Sequence, residues 1–117
     1  MSKYLDTVKQ IIAAWDARDF DRFLGFLNED IEYHSHVGSP PYLGKAAIRE
    51  FLEQYDTDNS DVDWQILNFA ENGDKFMLEG LVKTNDVATG DPIRHAYMGI
   101  FEFRDGKVSG WRDYFQK

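Results

Sequence analysis

GIFEFRDGKVSGWRDYF, residues 99–115, reads as a β-hairpin. Two apolar-rich runs flank Asp105-Gly106, a dipeptide that accepts the left-handed backbone a two-residue turn demands. Such a turn pairs Arg104 with Lys107, and counting outward sets Ile100 against Trp111 and Met98 against Asp113. On that register one face carries Arg94, Ala96, Met98, Ile100, Trp111, Asp113 and Phe115. The other carries His95, Tyr97, Phe101, Phe103, Val108, Arg112 and Tyr114. Both faces are largely apolar, while helices cover only one side of such a sheet, so a second copy of the chain is expected on the other. The prediction is a homodimer through the sheet face.

Upstream, the runs Val62 to Glu71, Lys75 to Asp86 and Ile93 to Arg104 are strand-like and are separated by the turn sequences NGD and VATGD. The N-terminal half has helical spacing instead. Tyr4, Leu5, Val8, Ile11, Ile12 and Trp15 form one stripe, and Phe20, Phe23, Leu24 and Leu27 a second, with Asp19 placed to cap it. Ile31 to His36 is short and β-prone, and Gly38, Ser39, Pro40 and Pro41 turn the next stretch into a loop. Gly44 opens a third helix, KAAIREFLEQY, which the polar spacer DTDNS closes. Three helices followed by strands predict an α+β fold with a mostly antiparallel sheet, and with no repeat or linker the chain, 1–117, reads as one domain.

The 117 residues carry a net charge of -8, with 43% hydrophobic residues and 15% aromatic. The acidic surface repels phosphate backbones and anionic lipid, so no nucleic acid and no membrane is expected and a neutral or cationic small ligand suits the charge better; the expected partner is a small apolar molecule. MSKYLDTVKQ lacks the apolar core of an export signal and no apolar run is long enough to span a bilayer, which predicts a cytoplasmic protein. The absence of Cys removes thiolate chemistry. No phosphate loop or dinucleotide fingerprint is present, and no cofactor is expected.

Asp113 is the candidate for chemistry, because a carboxyl between Trp111 and Phe115 would be desolvated and its proton affinity raised toward neutrality. His34 and His36 share one side of a short strand and are expected to position a water or an oxyanion. Metal is not expected, since His95 falls on the face opposite Asp113 and leaves the pair without a third ligand. Trp15, Met98, Ile100, Trp111 and Phe115 are the expected pocket lining. Gly99, inside a strand, marks a bend or a close approach, and we read curvature.

YLGKAAIREFL together with the ending GIFEFRDGKVSGWRDYF resembles the SnoaL-like branch of the NTF2-like superfamily, with the WRDYF run most similar to limonene-1,2-epoxide hydrolases. The resemblance implies a cone-shaped α+β fold, a homodimer, a deep apolar pocket and Asp113 as the base that activates water. The hydrolases' Arg-x-Asp pair falls on Gly80 and Val82, and their Tyr-x-Asn pair on His34 and His36. Ketosteroid isomerases are similar around the Pro-Pro loop, but their catalytic positions fall on Ser35, Ile11 and Gly99. Polyketide cyclases of the SnoaL type, with an Asp on a late strand, are compatible. The expected function is a cofactor-free acid–base enzyme of the epoxide hydrolase or cyclase/isomerase kind. The alternative is a non-catalytic ligand-binding or dimeric association domain of the same fold.

Overall fold

The computed structural model describes residues 3–35 and 37–115. Three helices, α1 (Leu5–Asp16), α2 (Phe20–Gly25) and α3 (Lys45–Asp58), accompany six strands. These are β1 (Leu27–His34), β2 (Tyr42–Leu43), β3 (Asn59–Asn72), β4 (Lys75–Asp86), β5 (Pro92–Arg104) and β6 (Lys107–Phe115). They form one mixed sheet in the order β2-β1-β6-β5-β4-β3. The β1–β6 pair is parallel and the other neighbouring pairs are antiparallel.

The helical stripes pack as their spacing dictates. Val8, Ile11 and Ala14 of α1, Phe23 and Leu24 of α2, and Ile48 and Leu52 of α3 are buried against one face of the sheet. Asp19 caps α2 by accepting from the Arg22 amide at 3.1 Å. Boundaries differ from the sequence reading in several places, and Tyr42–Leu43, within the stretch read as a loop, pairs with β1 as β2. Leu27, taken as helical, opens β1, because the Phe26 carbonyl already accepts from the Val108 amide and Leu27 pairs with Val108. The polar stretch expected as a spacer divides between the end of α3 and the start of β3. No helix among the described residues is long and apolar enough to cross a membrane.

The last hairpin forms where it was read, with Asp105 at φ 55° and Gly106 at φ 80° joining Arg104 to Lys107. Its register then departs from simple counting. Phe103 pairs with Val108 but Glu102 pairs with Gly110, so Ser109 is an extra residue that bulges out of the ladder. Its hydroxyl donates to the Glu102 carbonyl at 3.3 Å. Beyond the bulge every partner is moved by one, placing Trp111 opposite Phe101 and Asp113 opposite Gly99.

One extra residue exchanges the faces. Trp111 and Asp113 join Tyr97, Phe101, Phe103 and Val108 on the side the helices cover. Met98 and Ile100, expected in the pocket, lie on the outer side with Arg112 and Tyr114, and Met98 is 59% exposed. The same alternation moves His95 and Arg94: His95 pairs with Val82, two residues before Tyr97, and so shares the face of Asp113 that it was expected to oppose. Phe101→Ala should accordingly cost about 3–5 kcal/mol in urea unfolding and Met98→Ala under about 1 kcal/mol. Equal costs would put Met98 back in the interior.

Candidate functional site

Asp113 sits on the inner face of β6 and is 5% exposed. Its two oxygens face two aromatic donors. The indole N–H of Trp111, two residues back on the same face, donates to Oδ1 at 2.9 Å, and the Tyr33 hydroxyl lies 3.4 Å from Oδ2. Tyr33 reaches this point because β1 runs parallel to β6 with Tyr33 beside Trp111. The loop after β1 is tied to the same place, the Val37 amide donating to the Asp113 carbonyl at 3.0 Å.

Aromatic rings surround this point. Trp111 packs against Phe101, Tyr33, Trp64 and Phe23, with the Trp64 ring stacked at 5.7 Å and 16°. Trp15 meets the edge of Trp64 at 6.4 Å, which joins it to this cluster, and Tyr42 and Phe51 back Tyr33. Burial raises the Asp113 carboxyl to about 7, against the lowering effect of the hydrogen bonds from Trp111 and Tyr33. Near neutral pH the group is therefore divided between acid and carboxylate, as a proton carrier must be.

Gly99 marks a close approach: a Cβ there would lie 2.9 Å from Asp113 Oδ1 and 3.3 Å from Tyr97 Cε2. Gly80 leaves room in the same way, since its Cβ would lie 2.6 Å from Tyr97 Cε1. The Tyr97 ring rests in the hollow these two glycines leave, and its oxygen accepts the Trp64 indole N–H.

Of the predicted residues, the structure brings Asp113, Trp111 and Trp15 into one aromatic cluster. His34 pairs with Arg112 on the other face and its Nε2 contacts Glu32 Oε1 at 2.8 Å, so it is directed away from Asp113. His36 and the Phe115 side chain lie outside the described residues. Tyr33, Trp64 and Tyr97 were not anticipated. Tyr33 was legible, because Ile31 and Tyr33 alternate with Glu32 and His34, and the apolar pair belongs inward. Tyr97 was hidden by the bulge. A surface depression bordered by Lys83, Thr84, Ile93 and Arg94 lies toward the β4–β5 turn and shares none of these groups. Among the described residues no three His, Asp or Glu side chains converge as metal ligands would.

The sequence model of the SnoaL-like domain family matches residues 8–111. Among solved structures, an NTF2-like protein of unknown function from Burkholderia pseudomallei superposes with a TM-score of 0.88 at 20% identity, covering 99% of this chain and 92% of that one. An LEH-like epoxide hydrolase of M. tuberculosis matches with a TM-score of 0.81 at 21% identity over 96% and 81% of the two chains. TerC, co-crystallised with polyporic acid, matches at 0.86 and 24% identity over 98% and 92%. At these identities the likenesses establish the NTF2-like α+β fold, a curved, unclosed sheet with three helices.

Because the folded chain holds the Asp113 proton more tightly than the unfolded one, that contribution to stability is complete below 3.8 and is lost as pH rises to about 7. The loss is about 4 kcal/mol at ~1.4 kcal/mol per pH unit. Asp113→Asn, uncharged at every pH, should have a melting temperature that exceeds the parent's by a margin widening from pH 4 to pH 8. A constant margin would show that Asp113 is not desolvated. Gly99→Ala should push the carboxylate off the Trp111 N–H and raise its midpoint further, read by carboxyl carbon NMR titration.

Proposed function

The chain belongs to the SnoaL-like domain family, and on that premise we propose that it is an acid–base enzyme that works without a cofactor on a small apolar substrate, with Asp113 as its base. The observation that carries this reading is the buried Asp113 carboxyl, held by Trp111 and Tyr33 and poised near 7. A carboxylate in water is too weak a base to deprotonate much. Freed of solvent and raised to about 7, it removes a proton from a water or an activated C–H far more readily at neutral pH. Trp111 and Tyr33 fix its position, so the lone pair that takes the proton is directed rather than free to turn.

Hydrolysis of an epoxide is the first reaction this supports, Asp113 taking a proton from water as the oxygen attacks carbon. The same proton removal from carbon serves a cyclase or isomerase step. The pocket in this reading is apolar, with Trp15 and Trp111 as walls and Tyr97 and Phe101 in the places first assigned to Met98 and Ile100. The exposed Met98 and Tyr114 on the outer face are where a second copy of the chain would pack.

Gly80 and Val82, at the positions of the hydrolases' Arg-x-Asp pair, favour a second reading, a ligand-binding domain without turnover. The two separate by mass spectrometry in oxygen-18 water on styrene oxide, cyclohexene oxide and limonene oxide. Label should enter the diol with the parent chain, kcat/KM should rise with pH to a plateau with its midpoint near 7, and Asp113→Asn should lose about 10²–10⁴-fold in kcat. Turnover retained by Asp113→Asn would remove Asp113 as the base. Tight binding of a panel member with no label incorporated would favour the binding domain.

A further inference from the structure

Water activation supplies one proton movement, and the opening of an epoxide or the enolisation of a ketone needs a second, at the oxygen that gathers charge. We propose that Tyr97 is the catalytic donor to that oxygen, its hydroxyl acting from the same sheet face as Asp113, with its ring seated in the hollow left by Gly80 and Gly99. This inference rests on the acid–base reading above.

The geometry is specific to this residue. Tyr97 is 4% exposed, on the same sheet face as Asp113, and both crowd the single glycine at 99: Asp113 Oδ1 would meet a Cβ there at 2.9 Å and Tyr97 Cε2 at 3.3 Å. The carboxylate and the phenol ring are therefore neighbours by construction. The ring position also excludes any side chain at Gly80, where a Cβ would lie 2.6 Å from Cε1 and 2.8 Å from Cζ. The position from which β4 might have offered a functional side chain is filled by Tyr97 from β5.

The hydroxyl is prepared for donation. Its oxygen accepts the Trp64 indole N–H, which fixes its direction and polarises it. Burial, and then the charge of Asp113, hold its proton on well above the usual phenol range, against the opposing pull of Trp64. The group is thus a neutral donor at any working pH, suited to an oxyanion and not to acting as a base.

For an epoxide the atoms balance as follows. Asp113 takes a proton from water as the water oxygen bonds to carbon. The carbon–oxygen bond breaks, its electron pair passes to the ring oxygen, and that oxygen receives the Tyr97 proton. The proton on Asp113 then returns to the Tyr97 phenolate through water, and a diol leaves.

The test uses two assays. In the first, Tyr97→Phe keeps the ring in its glycine hollow and removes only the oxygen. With the three epoxides, kcat should fall about 10²-fold while the pH midpoint set by Asp113 persists. Parental kcat in Tyr97→Phe, with Asp113→Asn inactive, would overturn the role of Tyr97 and leave the acid–base reading standing.

The second assay needs no turnover. Asp113→Asn, which removes the competing charge, is titrated with 4-nitrophenolate by absorbance and with 4-nitroanisole as a neutral control. Adding Tyr97→Phe should weaken the phenolate at least ten-fold and leave the anisole unchanged. Equal loss of both ligands, or no phenolate binding to Asp113→Asn, would make Tyr97 structural and overturn the proposal.

Discussion

A carboxyl group taken out of water must be met by donors or carry its proton, and the arrangement of this fold follows from meeting it halfway. Asp113 receives one good hydrogen bond, from Trp111 at 2.9 Å, and one long one, from Tyr33 at 3.4 Å. Two strong bonds or a nearby cation would hold the carboxylate permanently ionised, and none would hold it permanently protonated. Both donors are aromatic side chains, which deliver an N–H or O–H while the rest of the group fills apolar volume. The layer that forms the core is therefore also the layer that tunes the acid, and Trp64, Phe101 and Phe23 hold Trp111 in the one orientation that serves both.

Chemistry and stability meet at the same oxygen atoms. The form of Asp113 that takes protons is the ionised one, which the interior tolerates least. Burial works against that form, and the hydrogen bonds from Trp111 and Tyr33 work for it. Gly99 and Gly80 serve this economy of space, each giving up a side chain so that Asp113 or Tyr97 can lie against the sheet.

Much of this was legible because local rules govern it. The three helices followed from spacing, the hairpin from Asp105-Gly106, and the burial of Asp113 from a carboxyl set among aromatics. What failed turned on one residue. Ser109 opens a bulge, and counting straight through it put Met98 and Ile100 beside Asp113 and left Tyr97 on the far side. The signal was Gly110, since glycine inside a strand is a common companion of a bulge. His34 was chosen by residue type over pattern: strand alternation groups it with Glu32, which is where its ring bonds. The parallel β1–β6 pairing had no local signature, because it joins segments far apart in the chain.

That pairing also bears on how the molecule comes into being. Tyr33 and Asp113 are separated by 80 positions in sequence, and the hairpins β3–β4, β4–β5 and β5–β6 join neighbours in the chain. Loop-closure entropy favours the hairpins early and the β1–β6 closure late. Until β1 docks, Asp113 is an edge-strand carboxylate in contact with water and Trp111 lacks the cover of Tyr33. Desolvation of the acid would in this sense come late in folding, so a chain that has assembled its meander of strands but not yet seated β1 would carry nearly all of its secondary structure and an acid still open to water.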